Sequence, residues 1–186
     1  NDIKFLYIDK PIVTKISPLC GPASGYTQIA VEGRNFQYLG PNKAFCIFGG
    51  RVYQPAVVIN ETLIYCDSPS ILDRFGNMIL ESRNYSVTVT LDSIEVASNI
   101  RYFSYYPVPA LYSIFPFIGP YYTSTKITIN GTYFDEGCDI RVRIGTVEVP
   151  RTLTPDNSIA CEIPPTFCPG EAVVQVSLNG QQYTPN

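Results

Sequence analysis

The strongest constraint on this sequence is an internal repeat. The stretch "ISPLCGPASGYTQIAVEGRNF", Ile16 to Phe36, returns as "IFPFIGPYYTSTKITINGTYF", Ile114 to Phe134, without a gap. With Pro11 set over Pro109, Ile16 falls on Ile114, Pro18 on Pro116, and Gly21 and Pro22 on Gly119 and Pro120. Thr27 then meets Thr125, Ile29 meets Ile127, Gly33 meets Gly131 and Phe36 meets Phe134. A chain of 186 residues that repeats at this spacing is expected to form two domains of about 80–100 residues each. In each copy Ile29 and Val31, or Ile127 and Ile129, alternate with polar residues, the period of a half-buried strand. Pro and Gly ahead of that strand bar a helix and make a turn, and the Gly that follows permits a bend or a positive φ.

The rest of each copy keeps the pattern at a slightly shorter offset. "AFCIFGG" around Cys46 corresponds to "IRVRIGT" around Val142, "LIYCDSP" to "SIACEIP", and "YSVTVTLDSIEVAS" to "AVVQVSLNGQQYTP". Each is a short alternating run bounded by turn residues, as in a sandwich of small strands. Asn179-Gly180 is a hairpin turn signal, with Asp92-Ser93 at the same place in the first copy. No amphipathic helix of useful length interrupts the series, and Tyr, Ile, Val and Thr are abundant. The fold class is all-β.

Charge and residue inventory narrow the function. The net charge is −3 with both signs scattered, so the basic patch expected of a nucleic-acid binder is missing. No apolar run approaches the ~20 residues of a membrane-spanning helix, so this segment is not expected to insert into a membrane. There is no His, which removes Ser-His-Asp and Cys-His nucleophile systems. Six cysteines without a Cys-x-x-Cys pair point to disulfides and an oxidising compartment rather than zinc. Three sequons, beginning at Asn60, Asn84 and Asn130, agree with secretion and are expected on the surface as glycan acceptors. "FDEGCD" gathers Asp135, Glu136 and Asp139, but without the spacing of a calcium loop it reads as a solvated turn. Of the tyrosines, Tyr102 and Tyr105 are expected to alternate with Phe103 on a terminal strand and cover core or linker. Tyr121 and Tyr122, in a turn, are better placed for a contact surface. No cofactor, metal or catalytic residue is expected.

The ordered elements "P-x-V-x-x-I-S-P-x-x-G-P-x-x-G-x-T-x-I-x-V-x-G-x-N-F", "C-I-F-G" and "I-Y-C-D-S-P" resemble the IPT/TIG domain, an immunoglobulin-like sandwich of the E-set type found in plexins, growth-factor-type receptors, fibrocystin-like proteins and some transcription factors. The resemblance implies two tandem immunoglobulin-like sandwiches, residues 10–107 and 108–186, preceded by a closing-strand-like segment, 1–9. It also implies that Cys46 and Cys66 lie on neighbouring strands and are bonded, closing a loop that contributes roughly 3 kcal/mol. In the second copy Val142 stands where the first has Cys46, and Cys161 takes the place of Cys66. Cys161 is therefore assigned to Cys138, with Cys168 the rival, and Cys20 is left to the remaining cysteine or another chain.

The two copies close differently. "NIRYFSYYPVP", Asn99 to Pro109, is the expected final strand of copy one and its linker. The second copy reaches only the residue matching Asn99, while "NDIKFLYIDKP", Asn1 to Pro11, matches that closing segment, Phe5 over Phe103 and Tyr7 over Tyr105. Two explanations fit: a window cut from a longer array, or strand donation to the next subunit in a head-to-tail filament; under either, Asn1–Asp9 is expected to be extended and not to close its own second domain. In the latter, Ile3 to Ile8, with Ile3, Phe5 and Tyr7, run in register with Val173 to Leu178 of the next subunit, at Val173, Val174 and Val176. The reading as a whole is a non-enzymatic extracellular structural or adhesion module of a cell-surface or filament-forming glycoprotein. Its expected partner is protein, itself or further copies of the repeat. The alternatives are a ligand-binding receptor segment, a carbohydrate-binding module and a DNA-contacting transcription-factor domain, the last opposed by charge and cysteines.

Overall fold

The computed structural model describes residues 7–73, 75–166 and 168–185. In chain order the strands are β1 (Ile12–Ser17), β2 (Cys20–Pro22), β3 (Gln28–Arg34), β4 (Phe45–Phe48), β5 (Val52–Asn60), β6 (Leu63–Asp67), β7 (Arg83–Thr90) and β8 (Arg101–Tyr106). They continue with β9 (Leu111–Phe115), β10 (Thr125–Gly131), β11 (Arg141–Ile144), β12 (Val147–Val149), β13 (Arg151–Leu153), β14 (Ile159–Ile163) and β15 (Val174–Ser177). One 3-10 turn, Phe134–Glu136, follows β10. The chain forms two compact units. The first holds residues 1–19, 24–71 and 83–105; the second holds 20–23, 72–82 and 106–186. Cys20–Pro22, which by sequence belongs to the first copy, is thus part of the second unit.

In the first unit the strand order is β1-β3-β6-β5-β4-β7-β8. The long strand β5 joins two pairings: its first half lies against β4, Cys46 facing Gln54, and its second half lies against β6, Ala56 facing Cys66. Cys46 and Cys66 are therefore not on neighbouring strands, as the family pattern implied. β5 lies between theirs. The second unit performs the same crossing with two short strands, β12 on β11 and β13 on β14, with Pro150 between them. A proline has no N–H to give to a ladder and marks the crossing in both copies, Pro55 within the continuous β5 and Pro150 between β12 and β13. The repeat is exact in register where it matters for packing. Ile29 faces Cys66 as Ile127 faces Cys161, and Cys46 faces Val89 as Val142 faces Val176.

Alternation buries one face of each strand. Val13, Ile16, Ile29, Val31, Ile64, Val87 and Phe103 fill the first core. Ile127, Ile129, Phe134, Val142, Ile159, Val176 and Leu178 fill the second, together with Cys20 and Tyr106. Phe103 and Tyr105 share the buried face of β8, their rings meeting edge to face, while Tyr102 is exposed. This corrects the expectation that Tyr102 and Tyr105 act alike, since residues three apart on a strand point to opposite faces.

Of the bend or positive φ expected at Gly33 and Gly131, the structure removes the second. Neither has a positive φ; that conformation falls two residues later, on Asn35 and Tyr133, at φ 61° each. The glycines are required by close approach. A Cβ at Gly33 would strike the Ile12 carbonyl and the Phe36 ring, and one at Gly131 would strike the Ala110 carbonyl and the Phe134 ring. Phe36 and Phe134 are each fully buried over that bare backbone. Because the obstacle is in part backbone, it cannot swing away. Gly131→Ala is expected to lower unfolding free energy by about 1–3 kcal/mol through overpacking. Gly170→Ala, where an added Cβ meets nothing, should change it by less than about 0.5 kcal/mol. Urea denaturation of the two variants side by side checks the difference.

Candidate interaction surfaces

Four cysteines are oxidised. Cys46 is bonded to Cys66 with Cα atoms 6.3 Å apart, and Cys20 is bonded to Cys138 with Cα atoms 5.8 Å apart. Cys161 is a buried thiol and Cys168 an exposed one. The pairing of Cys138 with Cys161 is therefore corrected. Cys138 and Asp139 both donate their backbone N–H to the Leu178 carbonyl, which holds this turn at the end of β15 and against Cys20. Cys161 sits within β14 opposite Ile127, in the core position left without a sulfur partner by Val142. Burial pushes its thiol up to about 11, so at neutral pH it is protonated and a poor nucleophile.

The sequons are placed on exposed or half-buried positions. Asn60 and Asn84 are exposed, while Asn130 is half-buried and donates its amide to Ser113 Oγ at 3.0 Å. The acidic turn is engaged within the protein: Asn157 Nδ2 donates to Asp135 Oδ1 at 2.9 Å, and Arg141 donates to Asp139 Oδ2 at 2.8 Å. Among the described residues no His, Cys, Asp or Glu group gathers as a metal site. A cleft of about 820 Å³ lies in the second unit and is lined by Lys126, Glu148, Arg151, Cys161, Glu162 and Pro164 among others. Its charges are of both signs, and burial keeps the Cys161 thiol on its wall protonated at neutral pH.

Two neighbouring features of the second unit are more distinctive. Among the described residues β15 pairs along its length with β11, and on its other side only its C-terminal end is met, where Ser177 bridges antiparallel to Tyr183. Of the residues assigned to that edge, Val173 is half-exposed and Val174 partly buried, but Val176 is fully buried. Thr184 donates its N–H to the Val176 carbonyl and accepts the Val176 N–H on its hydroxyl, so the tail after the Asn179-Gly180 turn already covers that end. Val176 is thereby corrected from edge contact to core. Of the proposed donors, Ile3 and Phe5 lie outside the described residues, and Tyr7 is exposed. Residues Tyr7–Pro11 belong to no strand, whereas the extended form expected of Asn1–Leu6 lies outside the described residues.

The second feature is the segment after β9. Phe115, Phe117, Ile118 and Tyr122 are exposed by 73%, 88%, 76% and 74%, and Tyr121, partly covered, meets Tyr122 edge to face. Sequence reading singled out the tyrosines and missed the phenylalanines and Ile118. The missed signal was their apolar run beside a copy-one counterpart, Ser17 to Pro22, that is polar at Ser17 and oxidised at Cys20.

Comparison with known proteins supports this architecture. The profile described as IPT/TIG domain matches residues 11–105 and again 109–186. Human Plexin-A3 is 25% identical over 91% of this chain and 9% of its own length, and human Fibrocystin-L is 29% identical over 83% of this chain and 4% of its own. The chain thus spans a tenth or less of these relatives. The solved extracellular region of plexin A4, at 21% identity, superposes over 92% of this chain and 15% of that one with a TM-score of 0.56, which shows the fold.

Thiol labelling of the native protein is expected to modify Cys168 rapidly and Cys161 only after unfolding, as read by peptide mass mapping. Because burial raises the Cys161 pKa to about 11 from an ordinary 9, the folded state is favoured while the unfolded thiol is still protonated. That contribution falls as pH rises through this window, since the unfolded state sheds its proton first. Cys161→Val should flatten the loss of stability between these pH values in a thermal melt series; an unchanged slope would contradict it.

Proposed function

Since this chain belongs to the IPT/TIG family, we propose that it is a non-enzymatic extracellular module of a cell-surface glycoprotein that carries protein–protein contacts. The observation that carries the reading is the tandem IPT/TIG match in a chain whose Cys46–Cys66 and Cys20–Cys138 pairs are oxidised. Stable disulfides belong to oxidising compartments, and the resemblance to a plexin extracellular region points the same way. Plexin-type relatives favour a segment of a receptor ectodomain. The exposed aromatic run of the second unit favours protein as its partner, because apolar surface is what another chain can cover. Asn60, Asn84 and Asn130 are the glycan acceptors of this reading.

Secretion through a eukaryotic host tests it. The protein is expected to leave the cell with two disulfides and with N-glycans at Asn60 and Asn84, seen as a mass shift on glycosidase treatment and mapped by tryptic peptides. Retention in the cell, or unmodified asparagine at all three sequons, would contradict an extracellular glycoprotein.

A further inference from the structure

Asn60 is the last residue of β5, and Glu61 and Thr62 turn the chain into β6, so that Asn60 faces Leu63. The Thr62 N–H and hydroxyl both donate to Asn60 Oδ1, each at 2.9 Å. The side-chain carbonyl is thus held against the turn by the residue that completes the sequon. Nδ2, the atom that bears a sugar, is committed to no other group. At Asn130 the same atom is engaged by Ser113 Oγ at 3.0 Å.

Asn60 also lines a depression of about 440 Å³ in the first unit, together with Thr14 of β1, Ala30 and Glu32 of β3, and Leu63 and Tyr65 of β6. Strand alternation puts these residues on the solvent side of the sheet, opposite the buried Ile29, Val31, Ile64 and Cys66. Ala30 lies directly across from Tyr65, and Glu32 across from Leu63. A methyl opposite a tyrosine leaves ring surface that β3 does not cover, and Tyr65 is only half-buried. Glu32 Oε1 is held by Lys15 Nζ at 3.3 Å, which leaves Oε2 as an acceptor facing solvent. The second copy lacks this combination. Pro155-Asp156-Asn157 stands at Asn60-Glu61-Thr62, and Ala160 stands at Tyr65. The sequon and its tyrosine are present together in one copy and absent together from the other.

We infer that this depression seats the glycan of Asn60 itself. The first N-acetylglucosamine packs the C–H face of its ring on Tyr65 and Leu63 and donates a hydrogen bond to the Glu32 carboxylate. A pyranose suits both groups, because its C–H face complements the negative face of an aromatic ring and its hydroxyls complement an ionised carboxylate. Attachment at the edge of the depression makes the docking intramolecular, so contacts too weak to hold a free sugar suffice. This inference rests on the reading of Asn60 as a glycan acceptor, and it adds where the sugar lies and what holds it.

The test uses the full chain secreted from eukaryotic cells, its glycans trimmed to single N-acetylglucosamine residues, with the sugar C–H resonances followed by NMR. The signals that Asn60→Gln removes are expected upfield of their free-sugar positions, shifted by the Tyr65 ring current. Tyr65→Leu, which keeps bulk without a ring, should return them there. Glu32→Ala should move them part of the way, and it serves as the second variant should Tyr65→Leu fail to fold. The trimmed protein should also melt at a higher temperature than Asn60→Gln, a difference that Tyr65→Leu abolishes. Asn60-linked signals at the free-sugar positions, or a shift that survives Tyr65→Leu, would overturn the docking and leave the glycoprotein reading intact. Asn60 unmodified while Asn84 carries a glycan would overturn the docking alone, whereas no sugar at any sequon would overturn both.

Discussion

Backbone pairing at the closing edge is the interaction on which this molecule depends. A sandwich core is sealed only when its last strand both satisfies the neighbouring ladder and lays its side chains over the apolar interior. In the first repeat β8 meets both needs at once, with Phe103 packed edge to face against Phe48 and Tyr105 against Tyr85. In the second repeat the same surfaces are present, and the groups that β8 would meet are turned outward. The aromatic exposure after β9 and the bare edge at Val174 are two aspects of this one fact.

The disulfides show how a fixed scaffold tolerates different covalent ties. Cys46 and Cys66 occupy the two positions taken by Val142 and Cys161 in the second copy. With one sulfur replaced, the core there is closed by apolar contact, and the remaining thiol behaves as a small buried hydrophobe. Cys20 and Cys138 form instead a bridge with a sequence separation of 118. In the chain-entropy account such a loop is worth about 4–5 kcal/mol, and its place beside Leu178 braces the end of β15 where the tail turns back.

Much of this was legible in the sequence because a strand writes its period directly into apolar alternation. The repeat, the strand positions and the turn at Asn179-Gly180 follow from it; Asn179 Oδ1 accepts the N–H groups of Gln181 and Gln182, as Asp92 Oδ1 accepts those of Ile94 and Glu95. What was illegible depends on adjacency between distant residues. Nothing local distinguishes Cys20 from Cys161 as the partner of Cys138. The transfer of β5 from one neighbour to another falls at Pro55, the counterpart of Pro150, but a proline alone does not say which strands are exchanged there. Gly33 signals a special backbone need, but only the Ile12 carbonyl and the Phe36 ring show that the need is space rather than a positive φ. Likewise Val176 reads as one more edge residue until Thr184 is seen to hold it.

Amide hydrogen exchange on the protein measures the central asymmetry between the repeats directly. The account predicts slow exchange at Tyr85 and Val87, whose N–H groups face β8, and at Val176, held by Thr184, with fast exchange at Ala172 and Val174. Equal protection of Ala172 and Val174 with their counterparts Tyr85 and Val87 would contradict it.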